Sequence, residues 1–599
     1  MKGKGFTLIE LLAVIVILSV IALITTPMIL NIIEETRKKA SIESVNGILD
    51  AAEKYEITSM LEGEETRVFK FPEDTKLQYK GTKPESGTLI IDEEGNTSIT
   101  VLINGYCVRK RFNETTPSVI EEQNCTIEDN ELIYAERYKE EILNGAYPEI
   151  KNELIPVTIE SDGTVTYADI RKEWYSYKNK IWANAVILKD NVTHSVGEEI
   201  PESDIKQYYV WIPRYKYELW NVNGENKYPN GTNSESAINI VFESKDKEAS
   251  NGIENGEWLT HPAFTSFNTN GIWVGKYETS YDEETYTDSS KFLTTNPNYA
   301  SATNASNIII KPNVRSLTYK TVSEFYTLGR GINEGLNSHM MKNSEWGAVA
   351  YLTYSLYGKC TETGCEEVYL NNINTGYYPA SSATFTGQWQ YGASITGCSA
   401  SSTSSSAVGN QTSCESGYAY NEANNKASTT GNISGIYDMS GGNWEYVMGV
   451  LEDSNGNPMS GRNSKYNSGF NGTYGCPTCD SDTSGLTSLT TGIDFPTDTK
   501  YYDTYIANLP SLSDDTWWIY TNGYLGDATK EVAVSKSDAS SGDRGLWYSD
   551  YAYFPTVTHP WICRGGNFDG DVTGNGVLSF SHYSSRANSY GAFHVALAI

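Results

Sequence analysis

The chain has 599 residues, with 75 acidic against 45 basic side chains and a formal net charge of -30. That length exceeds what one hydrophobic core organises, so several folding units are expected. The acidic balance argues against nucleic acid as a partner, because neutralising phosphates needs a basic surface and the one short basic cluster is Arg37-Lys38-Lys39.

Residues 1–31 read MKGKGFTLIELLAVIVILSVIALITTPMILN, and between Phe6 and Ile33 the only charge is Glu10. As a helix this stretch reaches about 40 Å, enough for a hydrocarbon core of about 30 Å. No small-residue cleavage site closes it, so it reads as a retained anchor with the membrane as a partner, not as a signal peptide. A bare carboxylate near the start of such a helix costs on the order of 3 kcal/mol and needs a positive partner. Lys2 and Lys4 followed by GFTLIE at 5–10 resemble the processing motif of type IV prepilins. The resemblance implies cleavage after Gly5 by a prepilin peptidase and methylation of Phe6. The new Phe6 amine would neutralise Glu10 of a neighbouring pilin subunit, and everything after Ile33 would be extracellular. Pro27 is expected to kink the helix.

Nine cysteines in an exported chain read first as disulfides. Nearest-neighbour pairing joins Cys107 to Cys125, Cys360 to Cys365, Cys398 to Cys414 and Cys476 to Cys479, leaving Cys563. The connectivity itself is not readable from spacing. CPTC at 476–479 lacks a second ligand pair at zinc spacing and is taken as a local disulfide.

From 34 to 60 the helix continues, with Ile42, Val45, Leu49 and Ala52 forming one apolar stripe. A hairpin is expected from 87–92 and 97–103 around EEGN, so residues 34–128 read as a pilin-like helix with a small antiparallel sheet, after the leader and membrane helix at 1–33. Residues 129–205 hold short strands, including a hairpin around Asp162-Gly163, and read as a β-rich spacer. Their aromatic residues argue against a flexible linker.

The remainder, 206–599, is rich in Tyr, Trp, Gly, Asn and Ser. Helices are expected at 314–328 and at 343–357, the second capped by Asn343 or Ser344 and stopped at Gly358. Residues 399–430 read as a long low-complexity loop. Five segments occur in family order: YYVWIP at 208–213, GIWVGKYE at 271–278, NSEWGAVA at 343–350, GIYDMSGGNWEY at 435–446 and RGGNF at 564–568. Together they resemble the formylglycine-generating enzyme (sulfatase-modifying factor) family, whose fold is an elaborated C-type lectin. Gly442 departs from that family, which has asparagine there. The expected fold class is thus multi-domain α+β, a long pilin helix with a small antiparallel sheet followed by a C-type lectin-like domain.

The fold does not bring the enzyme with it. That family holds copper with paired cysteines downstream of its RGG motif, and no cysteine follows Gly566 here. Cys563 reads as a small buried residue, and the six histidines sit in no nucleophile motif. No cofactor is expected. A structural calcium has only the weak support of a loop beginning at Asp569, whose twelfth position is Phe580 where a bidentate glutamate is needed.

In 564–599 an apolar skeleton (Val577, Leu578, Phe580, Ala587, Phe593, Val595, Leu597) alternates with clusters of Tyr, Ser, Asn, His and Asp, the residue types of recognition loops. The layout resembles the variable region of C-type-lectin proteins diversified by retroelements, which implies mutagenised codons at exposed positions. The candidate ligand-binding residues are Phe568, Asp569, Asp571, His582, Tyr583, Ser584, Asn588, Ser589, Tyr590 and His594. Gly565 and Gly566 are expected to be fixed by their turn. The function read from these features is a cell-surface or pilus-displayed, adhesin-like protein whose ligand is a protein or glycan. The competing readings are an anchored formylglycine-generating-type oxidase and a structural minor pilin or pseudopilin.

Overall fold

The computed structural model describes residues 7–62, 68–73, 76–91, 97–111, 114–120, 125, 147–151, 153–170, 173–224, 226–231, 234–282, 303–374, 377–378, 390–391, 393–402, 407–409, 411, 413–452, 469–471, 495–506, 524–533, 545–555, 559–568, 574–585 and 591–599. Two compact units divide the chain, Met1–Leu143 and Asn144–Ile599. The chain is α+β, in agreement with the expected fold class.

In the first unit one continuous helix, α1 (Leu8–Glu62), runs through Pro27 and across the expected boundary at 33/34. Its first turn is closed by Thr7, whose backbone N–H and hydroxyl both donate to Glu10 Oε2 at 2.9 and 2.8 Å. The early turns expose Leu8, Ile9, Leu12 and Leu23. Among the described residues, which leave out Phe6 and the side chains of 22, 24, 27, 28, 30 and 31, no helix is long and apolar enough to cross a membrane.

The later turns bury the predicted stripe, with Val45, Ile48 and Ala52 innermost and Ile42 and Leu49 at its edge. It packs on a sheet whose order follows the chain: β1 (Val68–Phe71), β2 (Ser86–Ile91), β3 (Thr97–Ile103), β4 (Tyr106–Lys110) and β5 (Ser118–Ile120). The expected hairpin is β2 against β3, with Ile91 opposite Thr97, and its EEGN turn lies outside the described residues. A small face of the helix meets the chain at 80–82. Ser44 Oγ accepts from Thr82 N at 3.1 Å, and a Cβ on Gly47 would stand 2.4 Å from the Lys80 carbonyl oxygen. Cys107 and Cys125 are bonded, tying β4 to the chain beyond β5.

In the second unit the expected spacer at 129–205 is not separate. Its strands β6 (Ile155–Ile159), β7 (Val165–Tyr167) and β8 (Asn184–Leu188) join β9 (Ile205–Pro213) in a seven-stranded sheet. The reason is burial: β9 is buried along almost its whole length, so its backbone N–H and C=O groups need strand partners on both edges, and both partners here run antiparallel. Those neighbours are β8 and the strand Gly271–Gly275. The C-terminal strand Val595–Leu597 then lies between Gly271–Gly275 and His339–Met340. The turn between β6 and β7 is as expected, with Gly163 at φ 93° and Thr164 N donating to Asp162 Oδ1 at 2.9 Å.

The helix expected at 314–328 is instead Val322–Gly331. Thr321 and Glu324 form a reciprocal cap that sets its start, with Thr321 N donating to Glu324 Oε2 at 2.8 Å. Upstream, the N–H groups of Ser316 and Leu317 donate to Ser394 and Thr279, and Tyr319 has φ 60°, which no right-handed helix accommodates. The helix expected at 343–357 is Asn343–Thr353, with Lys342 as its cap residue and Glu345 accepting the Lys342 N–H at 2.9 Å. Every one of its residues is buried. Beyond it the chain folds back so tightly that a Cβ on Gly358 would lie 2.2 Å from Thr353 O.

Cys360–Cys365 and Cys398–Cys414 are bonded, while Cys476 and Cys479 lie outside the described residues. The second of these bonds, with Ile373 and Ile395, makes a small core under the 399–430 loop. Ser399 and Tyr418 exchange backbone hydrogen bonds across that loop at 2.9 and 3.0 Å.

Candidate ligand face and the buried network beneath it

The five sequence segments meet in one interior. Gly441 N donates to Gly565 O at 2.9 Å and Phe568 N to Gly442 O at 2.8 Å, joining the fourth segment to the fifth. Gly565 and Gly566 have φ 81° and 78°, so the expected turn at positive φ is present. Trp346, from the third segment, donates its indole N–H to Val577 O at 2.7 Å. The Arg564 guanidinium is fully buried, 5.8 Å from the Trp346 ring centroid and 5.5 Å from that of Phe580.

The second segment contributes two buried charges. Lys276 Nζ donates to Asn184 Oδ1 at 2.9 Å and to Gly435 O at 2.8 Å, and burial holds this amine well below its ordinary range. Glu278 accepts from Asn443 N at 2.7 Å and from Ser394 Oγ at 2.5 Å. Asp438 accepts from Asn371 Nδ2 at 2.8 Å and from the Glu278 and Gly397 backbone N–H groups. Burial, then the neighbouring carboxylates Glu445 and Asp438, push Glu278 well above the usual range, and burial followed by Asp438 does the same to Glu445. A carboxyl that keeps its proton can donate as well as accept, so the cluster is tolerable without a cation. Gly442 has a physical reason here: its φ is 69°, and a Cβ would lie 2.4 Å from Glu278 Oε1.

His594 belongs to this interior, not to a surface. It is 1 % exposed, its Nδ1 hydrogen-bonds Glu445 Oε2, and burial pulls the imidazole down to about 4. Its predicted exposure is therefore corrected, and the same holds for two others. Phe568 is fully buried behind the Gly565-Gly566 turn. Ser584 is buried at the end of the strand Phe580–Tyr583, where its carbonyl accepts from Tyr446 Oη at 2.6 Å. Asp569, Asp571, Asn588, Ser589 and Tyr590 lie outside the described residues, as do Gly5 and Phe6. The skeleton residues Val577, Leu578, Phe580, Phe593, Val595 and Leu597 are all buried, and Ala587 is outside the description.

His582 and Tyr583 are half-buried, on a strand paired antiparallel with Trp561–Arg564. Beside them the structure gathers residues that sequence reading passed over. Tyr551 and Tyr553 flank Ala552, which bridges Phe580, and Phe580 N donates to Tyr551 O while Tyr553 N donates to Phe580 O, both at 3.0 Å. The His559 ring stacks on His582 with centroids 5.2 Å apart, Tyr553 meets His582 edge-on at 5.7 Å, and His582 Nδ1 contacts Phe554 O at 3.0 Å. Tyr551, Tyr553 and His559 are also half-buried. The alternation of Tyr551 and Tyr553 in SDYAYF was the available signal. This cluster offers flat ring surface with hydroxyl and imidazole edges. Cys563 lies buried and unbonded, its thiol pushed well up by burial. Among the described residues no group of three or more His, Cys, Asp or Glu side chains is arranged to hold a metal ion.

Residues 1–26 match the prokaryotic N-terminal methylation motif. The match is to that motif alone and says nothing about the rest of the chain. It implies processing by prepilin peptidase and assembly with other pilins, and it suggests a protein of the membrane, surface or pilus. No curated protein matches the chain.

Proposed function

We propose that this chain is a surface-displayed binding protein, anchored by residues 6–33 and incorporated through α1 into a pilus, whose second unit presents a diversifiable C-type lectin-like face to a protein or glycan. The observation that carries the reading is the half-buried cluster of Tyr551, Tyr553, His559, His582 and Tyr583 beside a skeleton whose described residues are all buried. Tyrosine supplies large contact area at small entropy cost, and a rigid interior lets surface side chains vary without loss of the fold.

The DNA tests it. A near-copy of the 564–599 coding segment is expected near the gene, beside a reverse transcriptase and differing almost only at template adenines. Varied codons should fall at Asp569, Asp571, His582, Tyr583, Asn588, Ser589 and Tyr590, while the skeleton residues, Ala587 among them, stay fixed. Phe568, Ser584 and His594, being buried, join the positions expected to stay fixed. Absence of a template repeat, or differences spread evenly over core and surface codons, would reduce the region to a fixed head.

The chain acts by binding, not by catalysis. With Cys563 buried and no cysteine after Gly566, the full-length protein supplied with cuprous copper should not oxidise a cysteine-containing sulfatase peptide. Turnover above background would overturn this part of the reading.

A further inference from the structure

A cavity of about 430 Å³ is lined by Lys180, Lys359 and Lys426 with one carboxylate, Glu366, together with Thr361 and Gly431. Three ammonium groups sharing one cavity run against the composition of a chain with 75 acidic and 45 basic residues. One wall is rigid, since Cys360–Thr361 pairs with Gly364–Cys365 in a tight hairpin closed by its own disulfide. The opposite wall carries Gly431 at φ 76°, where a Cβ would stand 3.2 Å from Lys359 Nζ. Glycine there leaves room for the ammonium.

The lysines are poorly matched by the protein. The Lys359 side chain is 4 % exposed, and its ion-pair partner Glu366 stands off at 3.5 Å with its own side chain 77 % exposed. Burial pulls the Lys359 amine down, Glu366 opposes it without reversing it, and Lys426 and Lys180 add smaller downward pulls. Lys180 Nζ donates to Cys360 O at 2.7 Å, which leaves two of its three N–H donors for another acceptor. Lys426 Nζ lies 5.3 Å over the Tyr369 ring. Against three ammonium groups the lining sets one carboxylate, the largely exposed Glu366, so a further acceptor-only group with several oxygens fits the cavity.

We propose that this cavity binds a compact oxyanion, the carboxylate or sulfate of an acidic sugar. Its volume lies in the range of small-molecule sites, about 300–1,000 Å³, which is room for a sugar ring as well as its anionic group. With a net charge of -30 the chain repels anions at long range, so recognition is by short contact inside the cavity. No lining residue belongs to the Tyr/His face, so the failure of either proposal leaves the other standing.

Calorimetric titration of the full-length chain in non-ionic detergent tests it, using glucuronate, galactose 6-sulfate, inorganic sulfate and inorganic phosphate against sodium chloride at matched ionic strength. Saturable binding of at least one of the two sugars is expected, weakened about tenfold or more in Lys180→Gln/Lys426→Gln. Both substitutions lie toward the mouth, so the double variant stays decisive if the buried Lys359→Gln does not fold. Binding of the inorganic ions with neither sugar would keep the oxyanion site and overturn the saccharide as its source. No saturable binding of any of the four, or equal binding by the double variant, would overturn the proposal.

Discussion

The two units bury opposite things. The core of Met1–Leu143 is made of Val, Ile, Leu, Ala and Phe packed between α1 and strands that pair in chain order, and its core cluster contains no carboxylate. The interior of Asn144–Ile599 holds Lys276, Glu278, Asp438, Glu445, Asp527, Glu531, Asp550 and Arg564, and its central sheet is completed by the C-terminal strand Val595–Leu597. The first kind of core responds to volume and shape. The second depends also on its hydrogen bonds, because removing one partner of a buried polar group adds the desolvation cost of the other.

The largest effect expected from that contrast is at Trp346, which fills the core of the second unit and also ties Val577 through its N–H. Trp346→Ala should cost about 3–5 kcal/mol and lower only the second unit's transition in calorimetry. Ile48→Ala should lower only the first unit's transition, by a comparable or smaller amount. A shift of both transitions by either variant would end the description of two independent cores.

Gly442→Ala comes next. A non-glycine residue at φ 69° costs about 1–3 kcal/mol, and the new Cβ would also press on Glu278 Oε1. Gly442→Asn should recover part of the backbone cost but not the clash, so thermal denaturation should rank wild type above Asn and Asn above or equal to Ala. An asparagine variant as stable as wild type would refute the packing reason for glycine at this site.

The pH response separates the units more gently. Burial pushes Asp527 to about 6, Glu531 to about 7 and Asp550 to about 8, with Arg564 acting against the shift at Asp550. These raised groups keep protons that the unfolded chain releases, so their stabilisation is present at low pH and is lost as pH rises through about 6 to 8. His594 and His261, depressed by burial to about 4 and about 3, work the other way: they cost stability as pH falls below 6.5. Lys276, held well below its ordinary range by burial, also works against the carboxyls, because the unfolded amine binds a proton that the folded one has lost. Asp550→Asn should therefore lose less melting temperature than wild type, or gain more, between pH 6.5 and pH 8. A variant with the wild-type pH dependence would contradict the direction at Asp550.

The smallest effect on stability is expected at Glu10, exposed on α1 and held by Thr7. Glu10→Ala should leave both transitions unmoved while lowering incorporation into filaments, and the mature chain extracted from the surface should begin at a methylated Phe6. An N-terminus at Met1, or undiminished incorporation of the alanine variant, would sink the pilin reading.

Sequence alone determined what short-range periodicity and local chemistry encode. The long helix and its buried stripe, the β2–β3 hairpin, the Asp162-Gly163 turn and the processing motif all involve residues close together in the chain, whereas the cysteine pairing was settled only by the three bonds of the structure. Reading was less sure where a distant partner decides. Residues 314–320 look helical by pattern, yet the N–H groups of Ser316 and Leu317 are taken by Ser394 and Thr279, and 155–188 look like a spacer until β9 claims them as sheet neighbours. The candidate face divided in the same way. Phe568, Ser584 and His594 have the composition of a recognition loop, but the Gly565-Gly566 turn, the Tyr446 hydroxyl and Glu445 draw them inside. Whether a polar residue faces water or a buried partner depends on what stands opposite it in space, and in this unit those partners come from segments up to hundreds of residues away.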